Sequence, residues 1–243
     1  MSGHSKWNNI KRTKEKSDAQ RGKIFTKIGR EIAVIVKQGG SDPNVNTKLK
    51  DVIQKAKQNN MPNDSIERSI KKAAGELSGV NYEPMTYEGY GAGGSAVIVE
   101  CLTDNKNRTA GDVRHAFDKH GGSLGSTGCV SYLFKRKGQI IIEKTINTDL
   151  DTVMMDSLDC GADDIVEGDD VIEVFTTPES LNEVKTLMEQ KGYSFLSCEV
   201  ALLPDNYIDL DEQKLTQFQK MLDTLNDLDD VQEVYHNVNN CEE

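Results

Sequence analysis

The sequence has no long hydrophobic run. Nowhere in its 243 residues does an apolar stretch approach the ~20 residues needed to cross a bilayer, and the N-terminus lacks the apolar middle of a secretory signal. A cytoplasmic protein with no membrane partner is expected. Cysteine is sparse: Cys101, Cys129, Cys160, Cys198 and Cys241 are odd in number and form no CxxC pair, which argues against a zinc site or a disulfide framework and fits a reducing compartment. Positive charge is short overall, with 29 Lys and Arg against 40 Asp and Glu, a net charge of -11. A chain this acidic repels polyanions unless its charge is segregated.

Chemistry-bearing patterns are also scarce. Gly89, Gly91 and Gly94 spell GxGxxG, but a phosphate-cradling loop follows a strand and opens a helix. These glycines instead lead into the strand-like run Ser95–Leu102, so a hairpin or bulge is expected. His115 and His120 lie five residues apart on or just past one helix and point about 140° away from each other, not toward one metal. No P-loop, Ser-His-Asp arrangement or pair of acids in an apolar setting is apparent. The expectation is a protein with no catalytic residues, no metal, no cofactor and no small-molecule substrate.

What is present is charge segregation. Residues 1–40 hold ten Lys and Arg against three Asp and Glu, a local charge of +7. Residues 1–79 carry +9, residues 80–137 carry +1 and residues 138–243 carry -21. At about 100° per residue, Ile24, Ile28, Ile32 and Ile35 share one stripe with Phe25 beside them, while Lys23, Lys27, Arg30 and Lys37 fall opposite. If this helix runs back through Arg12 and Lys16, the cationic row is roughly 38 Å long. Lys6–Gly22 has almost nothing apolar to hold it down, so it is expected to order on a polyanion.

The rest of the chain reads as α+β. Gly39 and Gly40 stop the first helix; Asp42 and Pro43 read as cap and first position of a second; after Pro62, Asp64 and Glu67 read as a capping pair for a third. Strands follow at Thr86–Tyr90, Ser95–Leu102 and Cys129–Phe134, the last two flanking a helix over Arg108–His120. Residues 139–202 then run β-α-β-β-α-β, the ferredoxin-like order, and the chain closes with a helix and strand that complete the earlier set. The expected architecture is an N-terminal three-helix bundle followed by two ferredoxin-like α/β domains, one inserted in the other. The boundaries are 1–79, then 80–136 with 204–243, and 137–203 as the acidic insert.

Longer motifs carry a resemblance. Gly3-His4-Ser5-Lys6-Trp7, Arg21-Gly22-Lys23-Ile24-Phe25-Thr26-Lys27, Asn60-Met61-Pro62, Tyr87-Glu88-Gly89-Tyr90-Gly91, Leu102-Thr103-Asp104-Asn105 and Asn107-Arg108-Thr109 resemble the YebC/PmpR family, whose mitochondrial relatives include the translational activator of cytochrome c oxidase subunit I. The resemblance implies three domains, a cytoplasmic location and a non-enzymatic role in regulating transcription through DNA; some relatives resemble ribosome-associated translation factors instead.

The expected partner is therefore nucleic acid, either DNA or ribosomal RNA and the ribosome. Lys6, Lys11, Arg12, Lys16, Arg21, Lys23, Lys27 and Arg30 are the candidate phosphate contacts, and Trp7 is a candidate for stacking on a base. Arg108, Arg114 and Lys119 are candidate secondary anion contacts. A protein-interaction adaptor using the acidic domains is the reading from another class.

Overall fold

In the computed structural model, which describes residues 18–75, 80–146 and 148–241, seven α-helices accompany two separate four-stranded antiparallel sheets. Three helices come first: α1 (Asp18–Gly39), α2 (Thr47–Gln58) and α3 (Asn63–Ala74). Ile28, Ile32 and Val36 of α1 meet Leu49, Val52 and Ala56 of α2 and Ile66 and Ala73 of α3 in one core, with Ile24, Phe25 and Ile35 packed at its margin. The apolar stripe expected of α1 is this contact surface. Burying each of its larger side chains stabilises the bundle by about 1.5–3 kcal/mol. Within the described residues Asp18–Gly22 is already helical, as part of α1; once the packed part has nucleated, extension by a few residues costs little. The rest of the stretch expected to order on a polyanion lies outside the described residues.

Both expected helix starts move. The cap of α2 is Asn46, whose Oδ1 accepts the Leu49 N–H at 3.1 Å while its Nδ2 donates to Ile35 O and Gly40 O. One side chain therefore closes α1 and opens α2, while Asp42 serves the intervening turn by accepting from Asn44 N–H. Helix α3 opens directly behind Pro62, with no side-chain cap, so Asp64 sits within the first turn. Pro62, which lacks the N–H that a helix start leaves unpaired, takes the place expected of a capping pair.

Next come β1 (Glu83–Tyr90), β2 (Ala96–Thr103), α4 (Lys106–Lys119) and β3 (Ser123–Leu124). β4 (Phe134–Glu143), α5 (Leu150–Asp159), β5 (Asp164–Glu167), β6 (Val171–Thr176), α6 (Leu181–Gln190) and β7 (Ser197–Pro204) form the second set. The chain then closes with α7 (Glu212–Asp227) and β8 (Val231–His236). The sheet orders are β3-β1-β2-β8 and β5-β6-β4-β7. The second is the ferredoxin-like order 4-1-3-2 in direct chain sequence. The first has the same order with β1, from the front of the set, standing in the third position and β8, returning after the second sheet is complete, in the fourth.

The strand expected at Cys129–Phe134 is not one. β3 lies earlier, at Ser123–Leu124, and Phe134 opens β4. The reason is Glu88, 4% exposed, whose carboxylate accepts backbone N–H groups from Gly128, Val130 and Ser131 at 2.8–3.0 Å. Those donors are no longer available to a neighbouring strand. The GxGxxG glycines lie in and between the antiparallel pair β1 and β2, as the hairpin reading has it. A Cβ on Gly89 would stand 2.6 Å from Ser123 O, and Gly94, at φ +79°, turns β1 into β2.

Two compact units result among the described residues: 18–131 with 210–234, and 132–209 with 235–241. In the first, Phe117, Phe218, Met221 and Leu225 are fully buried. In the second, Ile140, Ile172 and Val174 of the sheet pack on Val153, Val184 and Met188 of its helices. No helix among the described residues is long and apolar enough to cross a membrane.

Candidate functional site

The polar face of α1 is occupied within the first unit. Its acceptor is the turn that ends α7 and opens β8, Asn226-Asp227-Leu228-Asp229-Asp230. Lys23 Nζ lies 3.0 Å from Asp227 Oδ1. One turn on, Lys27 Nζ donates to Asn226 O at 2.9 Å, a carbonyl in the last turn of α7, where a cation complements the helix dipole. One turn further, the Arg30 guanidinium donates to Asp230 Oδ1 and, at 3.1 Å, to Leu102 O. It also lies over the Tyr82 ring, 5.2 Å from the centroid, a favourable placement for a cation. Sequence spacing of three and four residues thus becomes a ladder along one turn about 200 residues away in the chain.

Asp230 is the hub. Its side chain is 8% exposed and takes, besides Arg30, Arg108 Nη2 at 2.8 Å, Thr109 Oγ1 at 2.6 Å and Thr103 Oγ1 at 3.3 Å. Thr109 Oγ1 is also 2.7 Å from Thr103 Oγ1. Burial alone would raise the Asp230 pKa, but the donors from Thr109, Arg108 and Arg30 outweigh it and hold the carboxyl at about 2. Local structure supplies these partners. Thr103 ends β2, Asn105 caps α4 by accepting Arg108 N–H at 3.1 Å, and Arg108 and Thr109 stand in the first turn. Leu102-Thr103-Asp104-Asn105 and Asn107-Arg108-Thr109, which carried part of the resemblance, therefore build a carboxylate receptor.

An open pocket of about 430 Å³ adjoins this network, with Lys23, Arg108, Asp104, Asp112 and Asp229 on its walls. Its cations are already engaged by aspartates: Arg108 Nη2 also holds Asp104 at 2.7 Å. Arg30 Nε is buried without a hydrogen-bond partner among the described residues.

Of the candidate phosphate contacts, the structure brings Lys23, Lys27 and Arg30 together on the Asp227–Asp230 turn, leaves Arg21 exposed on α1, and has Lys6, Trp7, Lys11, Arg12 and Lys16 outside the described residues. Lys37 donates to Val80 O at 2.8 Å. Of the secondary group, Arg108 belongs to the hub, while Arg114 and Lys119 are exposed on α4. His115 is exposed, and His120 shares a hydrogen bond with Thr224 Oγ1 at 3.0 Å. Among the described residues no group of three or more His, Cys, Asp or Glu could hold a metal ion. Sequence reading missed Asp230, Thr103 and Thr109. Asp230 sits in an acidic run that looks like a solvated surface; the paired threonines flanking Asn105 were the available signal.

Two family models match the chain: the TACO1/YebC protein N-terminal domain over residues 5–76 and the TACO1/YebC second and third domain over residues 82–238. The chain is 61% identical over 237 residues to the probable transcriptional regulatory protein ORF2U of Hathewaya histolytica, covering 98% of this chain and 96% of that protein. It is 57% identical over 243 residues to a probable transcriptional regulatory protein of Clostridium tetani, covering 100% and 99%. Among solved structures it resembles the conserved hypothetical protein Aq1575 from Aquifex aeolicus, with a TM-score of 0.84, 44% identity and 93% of each chain covered.

Proposed function

Because this chain belongs to the TACO1/YebC family, we propose that it is a non-enzymatic regulator of gene expression that binds DNA through a basic N-terminal domain spanning residues 1–79. The observation that carries the reading is charge segregation: +9 over residues 1–79 in a chain of net charge -11. Such a molecule orients itself on a polyanion, basic end first, within a Debye length of about 8 Å. The names of the relatives support a role in transcription. In this reading Lys6, Lys11, Arg12, Lys16 and Arg21 contact phosphates directly, Trp7 stacks on a base, and Arg30 positions α1 against the sheet. The bundle, the discontinuous α/β domain (80–136 with 204–243) and the acidic insert (137–203) act as three domains.

The family's shared description with a translational activator favours a second reading, in which the same basic domain binds ribosomal RNA. Sedimentation of lysate on a sucrose gradient, paired with titration of promoter DNA at two salt concentrations, separates the two. Promoter binding with a log–log salt slope of roughly -5 or steeper, as about six or more neutralised phosphates give, supports the DNA reading. Co-sedimentation with ribosomes and no promoter preference replaces it with the translational one.

A further inference from the structure

We infer that the second and third helices carry a direct nucleic-acid contact surface, formed by Lys50 and Lys57 on α2 and Arg68 and Lys72 on α3; this rests on the functional reading above. On α1, Lys23, Lys27 and Arg30 are already engaged by Asp227, Asn226 and Asp230. Lys50, Lys57, Arg68 and Lys72 are all exposed, and none has a side-chain hydrogen bond or ion pair among the described residues.

Helix geometry separates this surface from the packed one. On α2, Leu49, Val52 and Ala56 point into the core. Lys55, on one flank, binds Glu31 at 3.1 Å and Glu233 at 3.8 Å, so that flank faces α1 and β8. At 100° per residue, Lys50 and Lys57 fall on the opposite flank, two turns and roughly 10 Å apart. On α3, Ile66 and Ala73 are buried, and Arg68 and Lys72 share the outward side, one turn and roughly 6 Å apart. Lys71, also on α3, is paired with Glu67 at 3.7 Å. Four unpaired cations on rigid helices suit a ligand that repeats its negative charge at intervals, which is the sugar-phosphate backbone.

The test uses the full-length protein, a short mixed-sequence DNA duplex and a single-stranded RNA, with fluorescence anisotropy over a salt series. Substituting Lys50→Gln, Lys57→Gln, Arg68→Gln and Lys72→Gln together is expected to make the log–log salt slope shallower by about 3.6 on duplex DNA or about 2.8 on single-stranded RNA. The nucleic acid that shows the change identifies the ligand. Glutamine is a good helix former, and each pair changed alone is expected to give about half the effect, so the result does not depend on one variant folding. Lys55→Gln, already engaged internally, is expected to leave the slope unchanged. Wild-type binding with an unaltered slope in the fourfold variant overturns this surface and leaves the functional reading standing. A Lys55→Gln effect as large as one quarter of the fourfold change also overturns it, since a diffuse field would then be acting. No binding of the wild type to either nucleic acid overturns both.

Discussion

Asp230 in the first unit and Glu173 in the second are both carboxyls nearly out of reach of water, at 6% and 1% exposure, yet their pKa values move in opposite directions. Asp230 collects two guanidinium groups and two hydroxyls and is held at about 2. Glu173 has one amide donor, Gln139 Nε2 at 2.6 Å; burial dominates and pushes it up to about 7. Desolvation penalises both; the number and charge of the donors decide the sign. One carboxyl is a fixed anion that organises three elements, the other a group that is half neutral near physiological pH.

The largest effect expected from breaking this contrast is at Asp230. Asp230→Ala strands the Arg30 charge, 13% exposed, and is expected to cost about 3–5 kcal/mol in chemical denaturation. Glu173 should behave in the reverse sense. Its carboxyl keeps its proton to about 7 when folded and loses it near 4.5 when unfolded, so the folded state binds more protons between those values and stability falls as pH rises through them. The accumulated loss is about 3 kcal/mol. Glu173→Gln, which cannot ionise, is expected to recover it at pH 8 and not at pH 4, as melting temperatures at the two pH values would show.

Asp230 sets the acid limb. Its contribution is complete above its ordinary value of 3.8 and is lost as pH falls through about 2, a change of about 2 kcal/mol that is absent from Asp230→Asn in an acid titration of stability. Glu88→Ala, which orphans the N–H groups of Gly128, Val130 and Ser131, is expected to cost about 1–3 kcal/mol and to raise amide exchange at those residues first. The exposed pair Lys23–Asp227, at 40% and 64% exposure, is worth about 0–1 kcal/mol, and a double-mutant cycle with Lys23→Ala and Asp227→Ala should find no more than that.

Much of the fold was legible because it is written in local periodicity. The stripe Ile24, Ile28, Ile32 needs only the helical repeat to be seen, and the β-α-β-β-α-β order of residues 139–202 follows from alternating patterns of apolar residues. Two of the errors fall where a side chain from elsewhere intervenes. Cys129–Phe134 has the apolar look of a strand, but Glu88 takes its backbone donors; α2 is capped by Asn46 because that amide also has the end of α1 to bind. The candidate site was legible as charge and not as destination. Lys23, Lys27 and Arg30 were rightly placed on one face, but a helical wheel says nothing about what lies across from that face.

The amino-acid order alone settles the amphipathic helices and the segregation of charge, since these depend on neighbours within a few residues and on counting. Which cations meet carboxylates, and hence which remain for a ligand, was set by folding. Arg30 and Asp230 are 200 residues apart, and their attraction acquires a large energy only once β2, α4 and the turn before β8 have closed around them and excluded water. The same exclusion, with fewer donors, gives Glu173 its opposite behaviour.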